Sequence, residues 1–368
     1  MNMFSILAEV LPTWQDSSPF YRITNNGGKV WLMPIKNMRI AMNLYQPSGH
    51  KGKLLKIFFP LLHRLPFPWR KLNIENTRCS LSDDLYNRLC GLFGVDNLEF
   101  SVFCGTPCVH QKLTIQLSIE NKILGYCKIS DNPEVGNMFA DEAEILAFLH
   151  NRGVKNIPIS LYASEWYGRI SLFVQSTCKT TQSRVVHKWS RMHKVFLDDL
   201  YSRTKKKLQF EQTDYYRTLT DLQQHLYWLP SDEARIIVQS AVNDILTANL
   251  GQEIECGAYH ADFTPWNMFI EQGKLFVFDW EYARMTYPPN LDRYHFFTQT
   301  AIFERHWNAQ SILDFMQTSG ARWIDKQTYI LYLLDIIARF TIREKGNITG
   351  DIAHSMRTWC TLLNYMRQ

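Results

Sequence analysis

The chain predicts an α+β fold in two lobes, a strand-rich half followed by a helical half, behind an N-terminal extension. Apolar residues alternate or run in short stretches around Ser101–Phe103, Lys112–Ile119, Ile123–Ile129 and Ile170–Ser176. Beyond residue 176 the period changes to that of amphipathic helices, over Val185–Tyr201, Tyr215–Leu229, Asp232–Leu250, Leu291–Arg305, Gln327–Glu344 and Ile352–Met366. Residues 1–95 are then an extension of uncertain structure, 96–176 a small lobe and 177–368 a helical lobe, with a cleft expected between the two lobes near residue 176.

Within the extension, Met1–Pro12 carries an acid in its apolar run and no basic prelude, unlike a signal peptide. Val30–Pro34 reads as a short strand. Lys53–Leu65 is basic and apolar, broken by Pro60, and too short and charged to span a bilayer. It fits an interfacial helix whose Lys53, Lys56 and Arg64 meet anionic headgroups, a peripheral membrane contact through residues 53–65. A helix packed on the small lobe is the plainer alternative. Pro66, Pro68 and the polar stretch Asn73–Ser82 suggest a linker, and Asp84–Phe93 a helix stopped near Gly94.

In the small lobe, the strands flanking Gly105-Thr106-Pro107 could form a lid over phosphates, although the segment holds a single glycine. Lys128 lies in an apolar strand, where a lone ammonium would be costly to bury. The expected partner is a glutamate of the helix over Asn137–Leu149, which turns Phe139, Leu146 and Leu149 to the core. Glu142 and Glu144 lie nearly on opposite faces of that helix, and both are candidates. In the helical half, Ser231 followed by Asp232 and Glu233 has the makings of a capped N-terminus.

Composition narrows the class. The 368 residues are 46% hydrophobic and 20% charged, an ordinary globular balance with room for two cores. A net charge of +5 and a pI near 8.7 suit polyphosphate substrates and are too slight to argue for nucleic acid. Eight cysteines are scattered without a C-x-x-C pair, and Cys104 and Cys108 have no Cys/His pair downstream. A zinc site is not expected, and a reducing, cytoplasmic setting follows, at the inner face of the membrane if the 53–65 segment binds lipid.

The chemistry gathers at Tyr259-His260-Ala261-Asp262-Phe263-Thr264-Pro265-Trp266-Asn267 and, just after it, Phe278-Asp279-Trp280-Glu281. Asp262 and Asn267 are five residues apart, within reach of one loop. Two short apolar runs around Gln272-Gly273 read as a hairpin that folds Asp279 back beside Asn267. An Asn and an Asp together are hard oxygen ligands for Mg²⁺ on phosphates, which leaves Asp262 to handle a hydroxyl proton. The plain alternative is an Asp capping a helix and an Asn in a turn.

H-A-D-F-T-P-W-N followed by F-D-W-E resembles the catalytic loop and metal-binding segment of the aminoglycoside phosphotransferase and choline kinase family. The resemblance implies a bilobal protein-kinase-like fold and transfer of the γ-phosphate of ATP to a small-molecule hydroxyl, with Mg²⁺. It covers nothing before about residue 95. By this resemblance Asp262 is the catalytic base, His260 orients the loop, Asn267 and Asp279 hold metal, and Glu281 binds metal or the acceptor. Lys128 matches the lysine on the α- and β-phosphates and Glu142 its partner, with Gly105 and Thr106 over the phosphates. Phe173, Val174, Gln175 and Ser176 match the hinge whose backbone binds adenine, and Asp292 the Asp that braces the loop, unless it is a plain helix cap.

The acceptor is expected among large-lobe residues such as Tyr287, Tyr294, His295, Glu304 and Trp307. Arg284, Arg293 and Arg305 dilute the negative charge that an aminoglycoside or choline-like cation would want. The H-x-D-F-T-P-W-N loop resembles versions in bacterial proteins of sugar or surface-polysaccharide metabolism, which implies a sugar or amino-sugar hydroxyl. A catalytically silent nucleotide-binding scaffold is the alternative. A protein kinase is disfavoured, because Ala283–Asn290 leaves no long activation segment. The oligomeric state is open.

Overall fold

The structure is a computed structural model that describes residues 9–11, 17–47, 49–106 and 110–368. Pro107 and Cys108 lie outside the described residues, as do residues 1–8 and Pro12 of the chain start. Two compact units emerge. One comprises the chain up to His150 with Lys155–Arg184 and Phe269–Phe276; the other comprises Asn151–Val154, Val185–Met268 and Val277–Gln368.

The first unit is built on an eight-stranded sheet in the order β3-β1-β2-β4-β5-β6-β8-β7, with every neighbouring pair antiparallel. Its strands are β1 (Ser18–Thr24), β2 (Val30–Pro34), β3 (Ile74–Cys79), β4 (Glu99–Phe103), β5 (Leu113–Ile119), β6 (Lys122–Ser130), β7 (Ser160–Trp166) and β8 (Ile170–Ser176). Helices α1 (His50–Leu62), α2 (Asp83–Phe93) and α3 (Pro133–Asn151) belong to the same unit. The alternation read from the sequence sends Leu113, Ile115, Leu117, Cys127, Ile129, Leu172 and Val174 into one core with Leu85 and Leu89 of α2. Phe139 of α3 stacks on Phe173 at 5.9 Å.

Residues before 95 join the same sheet. Trp31 and Leu32 of β2 pair with Phe103 and Val102 of β4, and the Trp31 and Phe103 rings stack at 5.1 Å. Two expectations change here. Asn73–Ser82 is no linker: Asn73 turns at φ 55, and Ile74–Cys79 then pairs along β1 from Ile23 back to Ser18. Nor does Pro60 break its helix, since α1 runs through it. Phe59 is buried in a core with Tyr21 and Trp31, with Leu55 packed against it, and that packing outweighs the one amide that Pro60 lacks.

The second unit holds α4 (Arg191–Thr204), α5 (Asp214–Gln224), α6 (Asp232–Asn249), α7 (Leu291–Gln299), α8 (Ala309–Met316), α9 (Lys326–Glu344) and α10 (Gly350–Arg367). Strands β9 (Lys206–Gln209), β10 (Glu253–Tyr259) and β13 (Arg284–Tyr287) form a small sheet in the order β13-β10-β9. Side chains of Thr213, Ser231 and Asp325 accept from the first-turn amides of α5, α6 and α9, so the expected Ser231 cap is present. The helix expected from Val185 starts only at Arg191, after Ser190 and His193 close a capping box. Leu291–Arg305 is α7 followed by a π-helical turn over Thr300–Glu304. Tyr329, Tyr332, Leu333, Ile336 and Ile337 of α9 lie at the centre of the core.

β11 (Met268–Glu271) and β12 (Lys274–Val277) form the expected hairpin. Its turn residues Gln272 and Gly273 have φ 48 and φ 75, the left-handed pair that a two-residue hairpin loop needs.

Candidate active site

The loop leaves β10 at Tyr259 and is pinned at once. Asp292, at the start of α7, accepts from the backbone N–H of His260 (2.9 Å) and of Ala261 (3.1 Å). Ala261 sits at φ 70, a region in which a residue with a Cβ is strained, so the surrounding contacts must impose it. Those contacts include the Arg339 guanidinium, which donates to the Ala261 carbonyl, to Asp335 Oδ2 at 2.5 Å and to the Tyr259 hydroxyl at 3.3 Å. The Tyr259 hydroxyl in turn donates to Asp335 at 2.8 Å. Burial pushes the Asp292 carboxyl up to about 7, against the pull of the two amides and of Arg339.

His260 is fully buried against Trp280, with ring centroids 4.5 Å apart. Its Nδ1 accepts from the Asp262 amide at 3.2 Å, so the proton is assigned to Nε2, which donates to the Phe278 carbonyl at 3.1 Å. Both ring nitrogens are thereby used within the loop. Desolvation lowers the imidazole to about 4, despite the opposing charges of Asp262 and Asp279. The ring is a neutral strut tying the loop to the segment that carries Asp279.

The Asp262 side chain is 27% exposed, and both of its oxygens are held. Oδ1 accepts from His295 Nε2 at 3.0 Å and Oδ2 from the Asn267 amide at 2.6 Å; the same amide also donates to the Asp262 carbonyl at 3.0 Å. Burial is the largest single influence on Asp262 and raises its pKa. The His295 hydrogen bond outweighs it, joined by the charge of Arg339 and, in the acid range where the two rings become protonated, by those of His295 and His260, so the carboxyl lies below its ordinary value. The Phe278 amide donates to the Asn267 backbone carbonyl at 3.0 Å, which ties Asn267 to the strand end. Asp279 follows at φ 68, and its carboxylate and that of Glu281 bring oxygens within 4.8 Å of each other. The indole of Trp280, donating to the Val277 carbonyl at 3.1 Å, fixes the bend between them.

In the first unit, Lys128 Nζ lies 2.8 Å from Glu142 Oε2, both side chains being buried, while Glu144 is exposed. Gly105 has φ 78, and a Cβ there would meet the Lys112 carbonyl at 2.4 Å, so only glycine fits. Thr106 beside it is exposed. Phe173–Ser176, the segment expected to meet adenine, forms the end of β8. β8 is an interior strand, so pairing to β6 and β7 takes up the backbone groups of Phe173, Val174 and Gln175. The Ser176 amide donates to the Ile159 carbonyl.

Three residues escaped the sequence reading of the loop. His295, expected among the residues near the acceptor, holds Asp262 Oδ1, a role the sequence reading did not give it. Asp335 and Arg339 were seen only as part of a helical stripe. Their i, i+4 spacing of opposite charges in an otherwise apolar helix was the available signal.

No family model and no curated protein sequence matches the chain. It is similar to solved structures of small-molecule kinases. Aminoglycoside phosphotransferase APH(4)-Ia matches at 13% identity and a TM-score of 0.48, over 77% of this chain and 98% of that one. APH(2'')-Ib with ADP bound matches at 15% and 0.43, over 77% and 99%. A candidate fructosamine-3-kinase from Haemophilus somnus 129PT matches at 12% and 0.46, over 77% and 97%. Identities and scores this low leave the function to the loop's own geometry.

α7 also has a second face. Arg293, Phe296, Phe297 and Thr300 line a cavity of about 160 Å³ with Trp189, Arg305, Phe315 and Trp323. The Arg293 guanidinium lies 4.0 Å from the Trp323 ring centroid and 5.6 Å from that of Trp189. Trp266 of the loop meets Phe303 of the π-helical turn edge-on at 6.3 Å.

Proposed function

We propose that this chain is a phosphotransferase that moves the γ-phosphate of ATP, with Mg²⁺, to a hydroxyl of a small sugar-type acceptor. One observation carries the reading. A single part-exposed carboxylate, Asp262, is gripped on both oxygens, by His295 and by Asn267, on a loop that buried groups force into a strained turn. Such pre-orientation is what positions an acceptor hydroxyl in line for transfer. A carboxylate held below its ordinary pKa is a weak base, which suits a reaction in which the proton leaves late. His260, neutral and fully engaged, is a positioning residue and not the base.

The donor set fits a hard divalent cation. Asp279 and Glu281 offer neighbouring oxygens, and Asn267, whose amide nitrogen is turned to Asp262, keeps its side-chain carbonyl oxygen for such an ion. When bound, the ion offsets phosphate charge. Lys128, held by Glu142, is the residue for the α- and β-phosphates, with Gly105 and Thr106 alongside. Adenine would lie at the end of β8, where Ser176 closes the Phe173–Ser176 segment.

The aromatic walls around Arg293 favour a sugar ring, whose C–H faces stack on indole and phenyl surfaces. Arg293 and Arg305 have no carboxylate partner among the described residues, so a sugar bearing an anionic group suits the cavity better than a polycation. A protein substrate is disfavoured, because β13 and α7 follow Ala283 directly. Seven free thiols among the described residues, six of them buried, suit a reducing cytoplasm.

ADP release from ATP and Mg²⁺, screened over neutral, anionic and amino sugars, tests the proposal. Asp262→Ala and Asp279→Ala should each cut turnover by about 10²–10⁴-fold, with folding preserved. Undiminished turnover in either variant overturns the proposal.

A further inference from the structure

Helix α1 has two apolar faces and only one of them is covered. Leu55, Phe59 and His63 turn inward, Phe59 at 1% exposure against Tyr21 and Trp69. Leu54, Ile57, Phe58, Leu61, Leu62 and Leu65 follow the i, i+3, i+4, i+7 rule on the other side. That stripe is open to solvent, with Leu61 at 77%, Ile57 at 61% and Leu54 at 56% exposure. The chain continues in the same manner through Phe67, which is 51% exposed. A contiguous apolar surface of this kind marks an interaction site.

Charge identifies the occupant. From His50 to Ile74 the sequence contains four lysines and two arginines and not one acid. Lys51, Lys53, Arg64, Arg70 and Lys71 are exposed, and none of them pairs with a carboxylate among the described residues. Lys53 of α1 and Arg64 just past its end lie along one edge of the apolar stripe, beside Ile57, where headgroup phosphates would lie if the stripe sank into acyl chains. A second copy of the chain would have to bring the same uncompensated cations face to face. No helix among the described residues is long and apolar enough to cross a membrane, so the contact would lie along the surface.

We propose that the outer face of α1, with the loop that follows it, docks on an anionic lipid surface. The docking is independent of the phosphotransferase reading and would bring the chain to membrane-bound or membrane-derived acceptors. Co-sedimentation of the full chain with vesicles tests it, using phosphatidylcholine alone and phosphatidylcholine mixed with phosphatidylglycerol. Binding is expected only to the mixed vesicles and should weaken as salt is raised. Replacing Ile57 and Leu61 by Ser should abolish it. Each of Lys53→Gln and Arg64→Gln should weaken it about fivefold. All four positions are exposed, so melting temperatures should hold. Equal binding by the Ile57/Leu61 variant, no binding by the native chain, or concentration-dependent dimers dissolved by Leu61→Ser would each overturn the proposal.

Discussion

His295 donates its Nε2–H to Oδ1 of Asp262 at 3.0 Å, while its Nδ1 is buried with no hydrogen-bond partner among the described residues. A protonated ring would bury a second N–H with nothing to accept it. Burial accordingly lowers the imidazole pKa, against the opposing pull of Asp262. The histidine therefore works as a neutral donor that aims the carboxylate.

Substituting His295→Phe keeps a ring of similar size in the pocket and deletes the donor. Asp262 would then be free to rotate about its remaining bond to Asn267. Turnover should fall by about 10- to 100-fold, with KM for the nucleotide little changed, because the loss is one of aim. His295→Gln, which can offer an N–H, should recover part of it. A Phe variant with unaltered kcat would show that Asn267 alone orients the carboxylate.

The sequence disclosed the loop because its chemistry is local. Asp262 and Asn267 belong to one turn, and Gln272-Gly273 dictates the hairpin that leads on to Asp279. The ion pair of Lys128 was legible in part for a different reason: a buried ammonium demands a partner on the helix that follows, but the choice between Glu142 and Glu144 stayed open until the structure paired Lys128 with Glu142. What stayed hidden depends on contacts distant in sequence. Arg339 reaches Ala261 across 78 positions and His295 reaches Asp262 across 33, and neither carries a local mark. β3 was missed because an edge strand exposes Glu75, Asn76 and Arg78 and so looks like a polar linker.

Acid should loosen the loop through His260. Its folded-state value of about 4 lies below the ordinary histidine value of about 6.5. The unfolded chain therefore takes up the proton first as pH falls. Stability from this group is fully present above about pH 6.5 and is lost as pH falls towards about 4. Urea unfolding measured across that window should show a steeper pH slope for the native chain than for His260→Phe. The slopes should differ by up to about 1.4 kcal/mol per pH unit. Parallel slopes would mean that the buried ring is reached by water or protonated when folded. Comparison with the variant is needed because His193 is also lowered to about 4 by burial and contributes its own slope.

The Lys128–Glu142 pair separates structural from catalytic cost. Both side chains are buried, so removing the lysine leaves a carboxylate without its ammonium in a dry site. Lys128→Met should destabilise the chain by about 3–5 kcal/mol, read from urea unfolding. Adding Glu142→Leu should restore much of that loss, because a buried ion pair and an apolar pair of similar volume are often close in stability. Turnover should stay low in the double variant, since the cation meant for the phosphates is gone. A double variant no more stable than Lys128→Met would show that Glu142 is held chiefly by other contacts. A double variant that is both stable and active would remove Lys128 from the proposed nucleotide site while leaving the Asp262 loop untouched.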